Sequence, residues 1–311
     1  SMATCTAAAT SYSHSSSPTM PFYTFYSMFG FQRIADQIWA AADSRARGFL
    51  MGATAGRTTL NGEGLQHQDG HSLLFASAVP GCRAWDPAYA YELATIIRHG
   101  IDEMWGKDLD VFHYIMLYNE NQQQVAKPEG ADEGIIRGAY MVQQPEGKDP
   151  PSVRILGSGP ILQYARGASS ILESEYGVSS EVWSVTSYGE LRKDGLDSER
   201  HNRLNPQDKR VPYASECFGD DTPTVAVSDY IAAVPEMIHR WVGGRYVVLG
   251  TDGFGRSDTR ESLRRFFEID TESIVLAALS ALEQEGEIPK GTVKKAASKM
   301  GISLSREDKA E

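Results

Sequence analysis

The sequence predicts an α/β protein of two domains, the second built on a mainly parallel sheet. Three observations carry this. The chain has 311 residues, 41% of them apolar, enough for about two cores of roughly 150 residues each. Its second half alternates short β-branched runs with helical periodicities, the pattern of βαβ units. Its first half sets two amphipathic helices beside one continuous apolar strand, and no internal repeat runs through either half.

Taken in order, Ser1-Met2 reads as a protease scar followed by a start residue. Residues 4–19 are rich in Ser, Thr and Ala and predict a lead that is flexible in part. Helical periodicity begins near Gln32, with Ile34, Ile38, Trp39 and Ala42 at three- and four-residue intervals, and ends near Arg47-Gly48. A second helix is signalled by Asp86-Pro87, then Tyr89, Leu93, Ile96 and Ile97, since Asp can cap and Pro fits a first turn. It is expected to end near His99-Gly100. Residues 111–118, VFHYIMLY, are too short for a typical helix and rich in aromatic and branched side chains, so they read as a buried strand. Residues 128–151 are dense in Gly, Pro and charge and end in Gly147-Lys148-Asp149-Pro150-Pro151, which predicts a linker. After it come a strand from Val153 to Leu156, a turn at Gly157-Ser158-Gly159-Pro160, a helix from Ile161 to Tyr176 and a strand from Glu181 to Val185. Strands at Thr224–Val227 and Arg245–Leu249 then alternate with helices over Tyr230–Val242 and Thr271–Gln284.

A net charge of -11 and the lack of a Lys/Arg stripe disfavour a phosphate backbone as partner. Cys5, Cys82 and Cys217 are odd in number, widely spaced and without metal-ligand spacing, which fits a reducing compartment better than a disulfide framework. No apolar stretch approaches the ~20 residues that span a bilayer, and no basic region followed by an apolar core opens the chain. These features predict a cytoplasmic protein.

The residues that point to chemistry are concentrated in one glycine-rich loop. Residues 56–71, GRTTLNGEGLQHQDGH, hold His67 and His71, the carboxylates Glu63 and Asp69, and four glycines. Two histidines at i and i+4 suggest zinc, but Gln68 stands where a metalloprotease needs Glu, and Gly70 weakens the helix that would align the pair. A pair of structural histidines is the plainer alternative. Upstream, residues 21–33, PFYTFYSMFGFQR, form an aromatic run that reads as core or as a wall for a flat ligand. Asp86 and Glu92 read as exposed charges on a helix face and receive no role. Gly157-Ser158-Gly159 is a weak dinucleotide signal, because the third glycine is missing and no carboxylate ends the next strand. Close backbone packing is the preferred reading there.

Together the aromatic run and the glycine-rich loop closely resemble the thiamine-diphosphate-dependent first component of the homodimeric type of pyruvate dehydrogenase complex, in its later part. The segment 250–260, GTDGFGRSDTR, is a further marker, structural or interfacial in kind. The resemblance implies a partial pyrimidine-binding, transketolase-like domain at 20–127, the linker at 128–151, and a transketolase C-terminal-like domain at 152–311. It implies that His67 assists proton transfer beside the thiazolium ring. It implies that Tyr26 and Phe29 stack on the aminopyrimidine with Arg33 supporting the same wall, and that Glu63, Asp69 and His71 orient the loop. The diphosphate-binding domain, its Mg2+ and the activating glutamate would come from a partner subunit, so the expected enzyme is a split-gene heteromer, with artificial truncation as the competing account. The two-carbon unit would pass to a lipoyl or acyl-carrier domain.

One departure bears on the donor. After Tyr118 the family continues Asn-Glu-Asn or Asn-Glu-Pro and then Tyr, whereas this chain reads Asn119-Glu120-Asn121-Gln122-Gln123-Gln124. If Gln122 lines the pocket, a ketose becomes as credible as pyruvate, because a buried amide must find a hydrogen-bonding partner. A non-catalytic scaffold subunit, or a nicotinamide-dependent enzyme resting on the Gly157 turn, are the readings from other classes.

Overall fold

The computed structural model describes residues 1–145 and 152–303. The run Gly147–Pro151, expected to close the linker, lies outside the described residues. The first half contains α1 (Met2–Ala9), β1 (Phe22–Phe25), α2 (Ser27–Asp43), β2 (Phe49–Ala53), α3 (Ser72–Ala76), β3 (Cys82–Trp85), α4 (Ala90–Ile101) and β4 (Phe112–Leu117). Its four strands pair in the order β1-β2-β4-β3, all parallel. Their carboxyl ends therefore lie on one edge, and the loops that follow β1, β2 and β4 gather there. A parallel sheet is covered on both faces, which is why β4 is a mostly apolar run with Phe112, Tyr114, Ile115 and Met116 all buried and its one polar residue, His113, accepting from Trp85 Nε1. Each such side chain contributes about 1.5–3 kcal/mol on leaving water.

The chain continues through α5 (Ala131–Arg137) and β5 (Ala139–Gln143) to β6 (Val153–Gly157), α6 (Leu162–Tyr176), β7 (Ser180–Val185), α7 (Tyr188–Leu204) and α8 (Tyr213–Phe218). It then forms β8 (Thr224–Val227), β9 (Tyr246–Leu249), α9 (Arg260–Phe267), α10 (Thr271–Glu285) and α11 (Thr292–Lys299). The second sheet runs β5-β7-β6-β8-β9, parallel except for β5, which is antiparallel to β7. Helices α6 and α10 pack together over it through Leu162, Ala165, Leu172, Ile274, Ala278 and Leu282. A shared core joins the halves, since Phe31, Tyr114 and Met116 belong to the same cluster as Leu156, Val185, Phe218 and Trp241.

Four expectations are corrected. The Ala-rich lead forms α1, whose Met2 and Ala9 are buried; alanine carries the highest helix propensity, and this outweighs the polar composition. The composition-poor stretch before Val153 builds α5 and β5, with Gly138 at φ 109 closing the helix so that Ala139 can enter the sheet. Residues 230–242 form only a 3-10 segment, Pro235–Trp241; Pro235 suits its first turn, whereas a helix begun at Tyr230 would have needed the amide that proline lacks. Asp86 and Glu92 are buried rather than exposed. Glu92 turns back on its own helix start and accepts from the amides of Ala88 and Tyr89, from Tyr140 Oη at 2.6 Å and from Ser184 Oγ at 2.7 Å. Burial raises its carboxyl above the ordinary range, with these donors opposing.

Candidate active site

Tyr26 follows β1 directly and stands at the start of α2, so strand and helix together aim Tyr26, Phe29 and Arg33 along the carboxyl edge of the first sheet. The loop after β2 brings His67 to the same place in a single 3-10 turn, Leu65–His67. The rings of Tyr26 and Phe29 lie 5.7 Å apart, and His67 sits 5.5 Å from the first and 5.1 Å from the second. The guanidinium of Arg33 covers the other ring, 3.9 Å from the Phe29 centroid, a cation–π contact that holds the wall upright. Tyr26 remains 44% exposed, so part of its ring stays open beside the cluster. Thus four of the predicted residues come together.

The remaining loop residues brace this cluster. Glu63 Oε2 lies 3.3 Å from His67 Nδ1, near enough for charge attraction yet not aligned as a hydrogen bond, so that nitrogen is buried without a donor or acceptor partner. Asp69 is fully buried and accepts from the amides of His71 and Ser72, both at 3.0 Å, and from the Ser72 hydroxyl. Tyr114 extends the chain by donating to Ser72 Oγ at 3.0 Å. His71 is hydrogen-bonded to the Gln32 side chain at 2.7 Å, tying the loop to α2. Burial lowers its pKa, against the pull of Asp69.

What holds the loop from behind was not visible in the sequence. Asp229, at the carboxyl end of β8, is fully buried and accepts from Thr58 N (2.8 Å), Thr58 Oγ1 (2.7 Å), Thr59 N (3.1 Å) and Thr59 Oγ1 (2.7 Å). Gly56 makes room for it: its φ is +94, and a Cβ there would come within 2.2 Å of Asp229 Oδ2. Arg264 on α9 meets both threonine hydroxyls and pairs with Glu120 through Nη1 (2.9 Å) and Nη2 (2.6 Å). Gln68 bonds the backbone of Arg256 in both directions, through Nε2 to its carbonyl and Oε1 from its amide. Arg57 reaches the Gly253 carbonyl, and Ser257 the Glu63 carbonyl. The segment 250–260 therefore clamps the histidine loop from the second half. A signal existed in the sequence, the pair of threonines after Gly56, but nothing local revealed a carboxylate about 170 residues away.

Asp86 occupies the carboxyl end of β3, where it accepts from Tyr118 Oη while its backbone oxygen accepts from Gly159 N. Burial pushes its carboxyl up to about 7. At the Gly157 turn a Cβ would lie 2.8 Å from Leu162 Cα, so the glycine serves the close packing of β6 on α6. Gln122 is placed elsewhere: with Gln123 and Gln163 it lines a separate cleft beside Arg166.

Comparison with known proteins gives the chain its relatives. Residues 1–125 match the family description "Pyruvate dehydrogenase E1 component middle domain" and residues 138–270 match "Transketolase-like TK C-terminal domain". The pyruvate dehydrogenase E1 component of Pseudomonas aeruginosa is 53% identical over 304 residues, 97% of this chain and 34% of that protein. The Escherichia coli K12 protein of the same name is 51% identical over 303 residues, again 34% of its length. The chain belongs to the pyruvate dehydrogenase E1 component family. It spans about a third of the length of these curated relatives. Its fold is that of the transketolases: the enzyme from Leishmania mexicana superposes with a TM-score of 0.65 at 20% identity, covering 88% of this chain and 35% of that one. A structure titled "Split gene transketolase, inactive beta4 tetramer" gives a TM-score of 0.65 at 19% identity, covering 91% of this chain and 80% of that one.

Proposed function

We propose that this E1-family chain forms the pyrimidine-side wall of a thiamine diphosphate site and acts in the decarboxylating step on a 2-oxo acid, with pyruvate as the donor. The observation that carries the reading is the cluster of Tyr26, Phe29 and His67 at the sheet's carboxyl edge, the position where open α/β sheets take ligands. An exposed ring with a cation-backed neighbour fits a flat aromatic ligand, and the unpartnered Nδ1 of His67 beside it is consistent with a polar role at that wall. Thiamine diphosphate, when bound, supplies the nucleophilic carbon and the electron sink for cleaving the bond next to a carbonyl.

The chain's own residues then have separable tasks. Tyr26 and Phe29 pack on the ring and exclude water from one side, and Arg33 keeps Phe29 in place. His67 moves a proton at its imidazole and holds the substrate's oxygen, and Glu63 helps to orient the loop that carries it. Asp69 and His71 fix the loop against α3 and α2. The diphosphate, its Mg2+ and the activating glutamate we assign to a diphosphate-binding region on a partner polypeptide; the likeness to a split-gene transketolase supports this arrangement. Names of relatives at 51–53% identity favour pyruvate over a ketose. The glutamine loop, which with the split arrangement argued for a ketose, has Gln122 and Gln123 lining the cleft beside Arg166. The acceptor would be a lipoyl domain, and the compartment the cytoplasm.

The test is calorimetric titration of thiamine diphosphate with magnesium into this chain alone and into its complex with the polypeptide carrying the diphosphate domain. Saturable binding in the complex only, followed by pyruvate turnover, is the expected result. Tight binding to the lone chain would overturn the shared site, and no binding in either would overturn the catalytic reading.

A further inference from the structure

The cleft that contains Gln122 is a site of its own, unused by the chemistry above. It lies where α6 of the second half meets β5 and the loop after β4, and has a volume of about 300 Å³. Four carboxamides line it, those of Gln122, Gln123, Gln143 and Gln163, together with Arg166 and the Tyr89 ring. None of its lining residues is acidic, on a chain whose net charge is -11. Arg166 donates through Nη1 to Tyr89 Oη at 3.3 Å, while its Nε is buried with no partner. Among the described residues no carboxylate pairs with it. The positive charge of Arg166 thus has no opposite charge paired to it, and a ligand in the cleft can supply one.

The lining states what that ligand looks like. The single guanidinium balances the charge of one carboxylate, which its planar fork can hold by two parallel hydrogen bonds. Each carboxamide offers two donors and an acceptor oxygen, the complement of a hydroxyl. Gln143 gives its Nε2 to Ser169 Oγ at 2.8 Å and Gln163 gives its Nε2 to Glu120 Oε1 at 3.4 Å, which leaves their oxygens to accept from a guest. Glu120 itself is already paired with Arg264, so it adds no unmatched negative charge. The volume corresponds to about ten water-sized groups at ~30 Å³ each. We propose that this cleft binds a polyhydroxylated monocarboxylate, a small sugar acid, with Arg166 on the carboxylate and the glutamines on the hydroxyls.

The experiment is calorimetric titration of the full chain with sodium gluconate, with sorbitol as its uncharged counterpart, and with inorganic phosphate. Gluconate is expected to bind saturably and at least tenfold more tightly than either control, and Arg166→Gln to weaken it at least tenfold. The double change Gln123→Leu with Gln163→Leu, at two exposed positions, is expected to weaken gluconate severalfold and carries the test if Arg166→Gln fails to fold. Three results would overturn the proposal: no saturable gluconate binding, equal binding of phosphate and gluconate abolished by sodium chloride (an adventitious ion only), or unchanged gluconate affinity in the variants that fold.

Discussion

Replacing Asp229 by Asn isolates the device that holds the histidine loop. The change is nearly isosteric, so packing is preserved. The amide oxygen can still accept from Thr58 N and Oγ1, now at 2.8 and 2.7 Å. The amide nitrogen then faces Thr59 N, a donor against a donor, where the carboxylate accepts at 3.1 Å. One buried N–H is left unmet, worth about 1–3 kcal/mol. Arg264, which loses its charge attraction to the carboxylate but keeps its pairing with Glu120, adds about 1 kcal/mol or less. The sum is a destabilisation of about 1–4 kcal/mol. Urea unfolding followed by tryptophan fluorescence at neutral pH reads it directly, and amide exchange at Thr58 and Thr59 should quicken in parallel. A loss below about 0.5 kcal/mol, within ordinary surface-substitution scatter, would refute the idea that this carboxylate fixes the loop.

Three further outcomes are expected. His67→Ala in the assembled enzyme should lower turnover about a hundredfold or more with assembly intact, as for loss of an acid–base group; unchanged turnover in a steady-state assay removes His67 from the mechanism. Phe29→Ala should raise the thiamine diphosphate concentration needed for half-saturation, and an unaltered cofactor titration sinks that assignment. Burial lifts Asp86 from 3.8 to about 7, so the folded state holds this proton more tightly than the unfolded chain does. Its contribution to stability is complete below about pH 4, is lost as pH rises to about 7, and amounts to at most about 4 kcal/mol. Asp86→Asn should flatten that window and exceed the parent protein in stability above it; parallel urea-midpoint profiles across pH would contradict this.

The sequence by itself determined the elements whose information is local. Repeats such as Ile34, Ile38 and Ala42 mark α2, VFHYIMLY marks β4, and Val153 to Val185 lays out β6-α6-β7, because periodicity and side-chain branching act within a single element. The aromatic run and the glycine-rich loop are contiguous too, so the residues that the structure brings together there, Tyr26, Phe29, Arg33 and His67, could be singled out locally. The short strands β1 and β3, at four residues each, lacked a periodic signature. Helix α7 was missed for another reason: its sequence is strongly polar, and it buries only Tyr188, Leu191, Gly195 and Ser198. Tertiary structure alone decided the rest. Burial of Asp86 and Glu92 depends on Tyr118, Tyr140 and Ser184 arriving from other strands. The clamp on His67 depends on Asp229, Arg256 and Arg264, which the second sheet carries across the shared core. The glutamine loop was assigned its cleft by α6. A charge is read as exposed until its partners are known, and those partners are separated along the chain by distances that no local pattern spans.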